Sequence, residues 1–426
     1  AVGDDGARAV WEAGRMAIDH LEKTAQDEGI ACQFRRVPAY YFASRERDAQ
    51  TVEEEAAHAR ALGFVADIAR RPGPYPPMRH LVMRLANQAQ FHPRQYLLGL
   101  ADRFEASGGL LFEHSHVSAF HPGEPARVEA NGFAVTASHV VFATHVPIHN
   151  RLFVSKLAAY QSYAVAARVP AGAFPYALAW DSEDPYHYWR VAPGDGHDMV
   201  IVGGEDHRTG QTDHECDAFD RLEAYVTEHL FGVDHAIVHR WSAQWWEPVD
   251  GLPFIGRLGG TPNQYVATGF SGNGMTMGPF AGLLIADLIR GKAHPLADRF
   301  APSRLNVRAG AVTFLTDNTA YPAYMLKDWL TPAESVALDD LRAGEGMVVS
   351  LNGRRVAASK DDNGELRLVS AVCTHMGCQV HWNEAEVSWD CPCHGSRFAP
   401  DGAVMSGPAV QPLAPVEAPQ MERAED

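Results

Sequence analysis

The sequence predicts a large α/β part followed by a small all-β C-terminal domain. Three observations predict it. Over residues 1 to about 300, helical apolar spacing alternates with short strand-like runs. Residues 301–328, beginning APSRLNVRAGAVTFLTDNTAYPAY, lose clear periodicity and read as a linker. From 329 to 426, short strands such as GMVVSLNG, RRVAASK and LRLVSAV are separated by Gly, Asp and Asn turns, a pattern suited to a small sandwich or barrel. A chain of 426 residues is also too long for one ordinary core and suits two or three domains.

Composition narrows the function. Apolar residues make up 46% and charged residues 21%, the balance of a globular protein. A formal charge of −17 argues against nucleic acid as partner; the acidic surface favours solubility and suits a basic redox partner. No apolar run approaches the length of a transmembrane helix. The chain opens on Ala1 and runs directly into a helical pattern, so a processed or truncated chain is expected, with any targeting signal upstream of residue 1. The cytoplasm is the expected compartment.

The elements follow in order. Val10, Ala13, Ala17, Leu21 and Ala25 recur at helical spacing, and Gly29 is a plausible stop. Thr51 with Glu54 reads as a capping box opening a helix through Phe64. Tyr96, Leu97, Leu100, Ala101 and Phe104 form another apolar stripe, closed by Gly108-Gly109. Strands are expected in LLFEHSHVSAF, ARVEANGFAVTA and HVVFAT. The middle, about 151–250, mixes aromatic-rich strands such as YHYWRV and DMVIVGG with one clear helix, DAFDRLEAYVTEHLF. QYVATG, FSGNGMTMG and PFAGLLIADLIRG then read as strand, turn and helix.

Four of the six cysteines fall between Cys373 and Cys393, with three histidines in the same window, AVCTHMGCQVHWNEAEVSWDCPCHGSRF. Cys373-x-His375 and Cys391-x-x-His394 supply two thiolates and two imidazoles. A four-coordinate zinc knuckle drawn from these residues is the bland alternative, but CxH…CxxH with flanking cysteines is poorly matched to it. The ligand pairs, their spacing and the glycines Gly377 and Gly395 resemble the Rieske [2Fe–2S] domain. That resemblance assigns Cys373 and Cys391 to one iron and His375 and His394 to the other. It also implies a Cys378–Cys393 disulfide between the two cluster loops, a Ser396 hydroxyl on a cluster sulfur, and Gly407-Pro408 in a loop over the cluster. Replacing two thiolates by neutral imidazoles removes negative charge, so such a centre accepts an electron more readily, at roughly −150 to +300 mV. The isolated Cys32 and Cys216 read as ordinary structural thiols.

DGLPFIGRLGG and QYVATGFSGNGMTMGPFAGLLIADLI resemble the closing segment of the D-amino-acid-oxidase-type FAD oxidoreductases, and the likeness extends over roughly residues 1–300. A strand ending at Gly269 and a helix opening after Gly272-Asn273-Gly274 aim backbone N–H groups and a positive dipole end at the loop. The resemblance implies FAD contacts at Gly272, Asn273, Gly274, Met275 and Thr276, at Ala143 and Thr144 by the dinucleotide linkage, and at Val117 by the adenine. The family's opening strand, GxGxxG and helix are absent from this chain. VIVGGEDHRTG has a strand and two glycines, but no apolar-periodic helix follows it, so it is not that fingerprint. Residue 1 therefore reads as lying after that unit, and this chain is expected to hold the cluster but bind FAD weakly. Trp245, Trp246 and Glu247, with Tyr186, Tyr188, Trp189 and Arg190, are candidates for the substrate face, an arginine suiting a substrate carboxylate; core or surface-strand roles are the commoner reading of each. His20, His145, His187 and His207 read as surface or satisfied residues, and Asp213-His214-Glu215 as a solvated run.

The whole resembles an FAD-dependent oxidoreductase carrying a fused Rieske cluster. The expected activity is oxidation of an amine or amino-acid-like substrate with single-electron exchange through the cluster; the sequence names no catalytic residue. The alternative is a non-catalytic electron-transfer module with the large part as a binding scaffold. A Rieske oxygenase ranks last, because only 32 residues follow His394.

Overall fold

The structure is a computed structural model that describes residues 3–70, 72–147, 151–211, 216–260, 263–304, 338 and 341–417. The N-terminal part supplies strands β1 (Arg35–Phe42), β2 (Ala66–Arg70) and β3 (Leu81–Gln90). A meander of β4 (Val117–His121), β5 (Ala126–Ala130) and β6 (Phe133–Ala137) follows, then β7 (Val140–Phe142). The middle supplies β8 (Leu157–Pro170), β9 (Leu178–Asp181), β10 (Tyr188–Pro193), β11 (His197–Arg208) and β12 (Ala236–Pro248). Eight of these form one sheet in the order β12-β8-β11-β10-β9-β1-β3-β2. All its pairs are antiparallel except β1 with β9. The sheet thus takes three strands from before residue 91 and five from after residue 156. Long-range pairing of this kind has no local signature in the chain.

Strand periodicity sets which face is buried. Along β8, Tyr163, Val165, Ala167 and Val169 alternate onto a core shared with Val200 and Val202 of β11. The helix Cys216–His229 covers that face through Phe219, Leu222 and Val226.

Beside this sheet lies a smaller one, in the order β13-β14-β7, with β13 (Phe254–Arg257) and β14 (Gln264–Thr268). All five residues of β14 are buried, as expected for a strand that pairs in parallel with β7 on one side and is covered by helices. Two helices pack on it. The first, α1 (Gly3–Asp27), buries Ala9, Ala13, Ala17, Leu21 and Ala25 at four-residue spacing. Asp4 and Asp5 sit at its positive end, and Gly29 at φ 66° ends it. Its small alanines allow a close approach to the helix Gly274–Ile289, which buries Met277, Phe280, Ala281, Leu284 and Ile285.

The C-terminal part carries a sheet of β15 (Gly346–Leu351), β16 (Arg354–Lys360) and β17 (Leu366–Ser370). A second sheet follows, of β18 (His381–Asn383), β19 (Ser388–Asp390), β20 (Arg397–Phe398) and β21 (Val404–Ser406). Trp389 and Phe398 are fully buried between them and the cysteine loops.

Three local expectations need correction. The helix expected from Thr51 through Phe64 runs instead over Ala49–Ala61. A short 3₁₀ turn at Glu46–Asp48 precedes it, with Asp48 accepting from the Arg45 N–H at 3.2 Å, so Thr51 lies inside the first turn. The helix Pro93–Ala106 forms, but of its apolar stripe only Tyr96 is buried, while Leu97 and Phe104 are 62% and 47% exposed. In LLFEHSHVSAF only Val117 onward is strand. The linker expected at 301–328 falls outside the described residues from 305 on, as does Asp213-His214-Glu215.

Candidate functional site

Two centres share one wall. The first is a cavity of about 1390 Å³ between the small sheet, the helix Gly274–Ile289 and one face of the large sheet. Ligand pockets commonly measure about 300–1,000 Å³, so this one has room for a large cofactor and a substrate together. At its mouth β14 ends at Gly269, whose φ is +71°. A Cβ there would lie 2.7 Å from Pro248 and 2.9 Å from Leu157, so only glycine fits. The turn Phe270–Asn273 then opens the helix. Asn273 gives it no side-chain cap, its amide donating instead to the Ser271 carbonyl at 2.9 Å. The helix N-terminus therefore presents its dipole to the cavity without a capping side chain. Gly274, Gly278 and Gly282 line the cavity, and a Cβ at Gly278 or Gly282 would meet nothing within 4 Å. This glycine face leaves space for a flat ring system against the backbone, which fits the pyrimidine edge of a flavin.

Of the residues expected at FAD, Gly272, Asn273, Gly274, Met275, Thr276 and Ala143 line this cavity. Thr144 and Val117 do not: the Thr144 hydroxyl donates to the Val146 carbonyl at 2.7 Å, and Val117 is half-exposed on β4. Trp245, Trp246, Glu247, Tyr186 and Tyr188 of the substrate-face candidates line it, whereas Trp189 and Arg190 do not. Trp189 is buried in the core of the large sheet, and Arg190 donates to the Phe91 carbonyl at 3.0 Å. His145 and Asp206, which the sequence did not single out for this role, line the cavity as well. Period-2 spacing along β11 would put Asp206 on the core face with Val200 and Val202; the bulge between Gly204 and His207, with Glu205 at φ 57°, turns it to the cavity instead.

The second centre lies in the C-terminal part. Two loops, Cys373–Cys378 and Cys391–Ser396, have the same backbone turn. In each, the first cysteine N–H donates to the carbonyl five residues on, at 2.8 Å. A glycine N–H four residues on donates back to the cysteine carbonyl, at 2.9 Å. Those glycines, Gly377 and Gly395, sit at φ +80° and +66°, which explains their place beside each ligand pair. A disulfide joins Cys378 to Cys393 across the loops. Cys391 lies within 4.8 Å of these two sulfurs, but both are consumed by the bond, so they offer no thiolates to a zinc ion.

Cys373 and Cys391 are buried with their thiols hydrogen-bonded to each other. The bond from Cys391 holds Cys373 down at about 7, helped by the Ser396 hydroxyl, while Cys391 is pushed up by that partner and by burial. Ser396 also accepts from the Ala409 N–H at 3.0 Å, which ties the Gly407-Pro408 loop to the site. The His375 and His394 rings stand nearly perpendicular, their centroids 4.9 Å apart. Burial, with His375 beside it, lowers His394 to about 4, so it is the neutral imidazole a metal requires. Two buried thiols and two imidazoles on paired loops fit a [2Fe–2S] cluster with one iron on each ligand type.

The wall between the centres is thin. Gln244 and Trp246 of β12 line the cavity. Gln244 also donates to the Gly395 carbonyl at 2.7 Å and accepts from the Ser406 hydroxyl at 2.9 Å. A Cβ on Gly395 would lie 2.2 Å from the Ala159 Cβ and 3.5 Å from the Trp246 ring. Gln211 to the Pro392 carbonyl, 3.0 Å, and His381 with the Gly210 carbonyl, 3.1 Å, complete the contact.

The comparisons with known proteins agree with both centres. Residues 2–288 match the family described as FAD dependent oxidoreductase, and residues 332–417 match the Rieske [2Fe-2S] domain. The chain belongs to the FAD dependent oxidoreductase family and carries a C-terminal Rieske domain. It is 32% identical over 415 residues to YhfW of Bacillus subtilis (strain 168), a Rieske 2Fe-2S iron-sulfur protein by name; the match covers 96% of this chain and 81% of that protein. Over 74 residues it is 43% identical to the cytochrome b6-f complex iron-sulfur subunit of Chlorobaculum tepidum, covering 17% of this chain and 40% of that subunit. In fold it is similar to glycine oxidase from Geobacillus kaustophilus, with a TM-score of 0.59 at 17% identity, covering 70% of this chain and 82% of the other. L-proline dehydrogenase from P. horikoshii gives 0.56 at 17% identity, covering 68% and 82%. The family implies FAD and the C-terminal domain implies a [2Fe–2S] cluster. Among the described residues, no helix is long and apolar enough to cross a membrane.

Proposed function

We propose that this oxidoreductase oxidises an amine or amino-acid-like substrate in the cavity and exchanges electrons one at a time with the cluster. The substrate loses a hydride and a proton and leaves as an imine. FAD, when bound, supplies the two-electron chemistry, and the cluster carries single electrons. In this reading Cys373, His375, Cys391 and His394 hold the cluster, and Gly272–Thr276 with Ala143 border the flavin. Residues 1–300 are the oxidoreductase domain with a substrate subdomain at about 151–250, residues 301–328 the linker, and 329–426 the Rieske domain. A redox partner protein or another acceptor completes the electron path.

One observation carries the proposal: Gln244 belongs to the cavity wall and also donates to the carbonyl of Gly395, the neighbour of His394. A substrate site and a one-electron centre joined through one side chain serve electron exchange; a mere scaffold has no need of it. The test is anaerobic stopped-flow of the FAD- and cluster-loaded protein with a panel of amines and amino acids. Flavin bleaching followed by the low-g-average resonance of a reduced Rieske centre is expected. Bleaching that leaves the cluster oxidised would sink the exchange. Failure of every substrate to bleach the flavin would leave the electron-transfer module.

A further inference from the structure

One part of the cavity lining has a distinct chemistry. Trp180, Tyr186, Tyr188 and Trp245 wall it, with the carboxylates of Asp206 and Glu247. Among the described residues lining the cavity there is no lysine or arginine. Arg190, the natural candidate to meet a substrate carboxylate, is turned onto the Phe91 carbonyl. The neighbouring His187 is no substitute: its ring lies 3.0 Å from Asp181 and 3.6 Å from Glu205, is stacked on Tyr225, and does not line the cavity.

Asp206 is the informative residue. Its carboxylate accepts from the side chains of Ser162 and Trp245, yet its Oδ1 is buried with no protein partner. Burial raises its pKa by more than Ser162, Trp245 and the nearby His187 lower it, so this place tolerates an anion poorly. A cation in the cavity would relieve that cost, and the surrounding aromatic faces attract cations too. An α-amino acid would bring its own carboxylate into a space whose described lining offers carboxylates and no lysine or arginine to meet it.

We propose that the substrate is a cationic amine without a carboxylate, its ammonium held against Asp206 and its substituents covered by Trp180, Tyr186, Tyr188 and Trp245. The inference rests on the reading of this cavity as the substrate site and narrows the substrate to one charge class.

Two aromatic probes of similar size and opposite charge test it: benzyltrimethylammonium and phenylacetate. Their binding to the FAD- and cluster-loaded protein is measured by calorimetry and by perturbation of the flavin spectrum. The cation is expected to bind and phenylacetate not to. Asp206→Asn should weaken the cation at least tenfold, with the cluster resonance unchanged as evidence of folding. Glu247→Gln is the second variant if Asp206→Asn fails to fold, with the same direction expected. Phenylacetate binding as tightly as the cation, or cation binding unmoved by the variants, would overturn the inference. Cation binding without turnover of any amine would leave the cation site at Asp206 standing while removing the redox reading and, with it, the amine as substrate. Turnover confined to carboxylate-bearing amino acids would do the reverse.

Discussion

Buried between Asp181 and Glu205, the His187 imidazole is lowered by desolvation and raised more by its two carboxylate partners, to about 9. Its folded value thus lies above its ordinary value of 6.5. The stabilisation is complete below about pH 6.5 and is lost as pH rises through 9. Urea denaturation of the protein should show stability falling by on the order of 2 kcal/mol across that window. His187→Gln should be flat there; an unchanged slope in the variant would exclude His187 as its source. The sequence allowed only that His187 be surface or satisfied. Its partners lie on β9 and β11, and Tyr225 stacks on it from a helix, so its charge depends on how three elements meet. The four proposed cluster ligands are the opposite case. Their spacing encodes two copies of one local turn, and local turns are written locally.

At the scale of elements, the Cys378–Cys393 disulfide pins the two cluster loops. It closes a loop of sequence separation 15, for which chain entropy gives about 3 kcal/mol. Cys378→Ser with Cys393→Ser should lower the stability of the C-terminal domain by about that amount, read by urea denaturation followed at the cluster absorbance. No loss would mean that packing around Trp389 and Phe398 already fixes the loops. Helices were legible where burial follows simple periodicity, as in α1, and short strands where a fully buried run ends at a glycine turn, as in β14. Legibility failed where a stripe has no cover. Leu97 and Phe104 have helical spacing, but spacing states only which residues share a face, never what packs on that face.

For the whole molecule, the seating of the C-terminal domain against β12 matters most. Gln244→Ala removes the bonds to Gly395 and Ser406 without touching any proposed cluster ligand. Cluster reduction should slow by roughly tenfold, the equivalent of about 1.4 kcal/mol and in scale with one well-placed hydrogen bond. Flavin reduction should keep its rate, and the resonance of the dithionite-reduced cluster should keep its shape. Equal slowing of both steps would instead place Gln244 in substrate handling.

The sequence by itself determined the two redox modules and the loops that serve them. CxHxxC and CPCHGS specify paired turns, and the strand–glycine–helix unit at 264–289 specifies a helix end open to a ligand. Contacts between near neighbours produce these features, so the residues that make them stand together in the chain. Only the tertiary structure decided that β1–β3 join the large sheet, that Asp206 faces the cavity while Arg190 does not, and that Gln244 bridges both centres. Each of these depends on which strands pair and in what register, and a one-residue slip would exchange the faces. Such pairings join residues far apart in sequence through packing, and no local pattern records them.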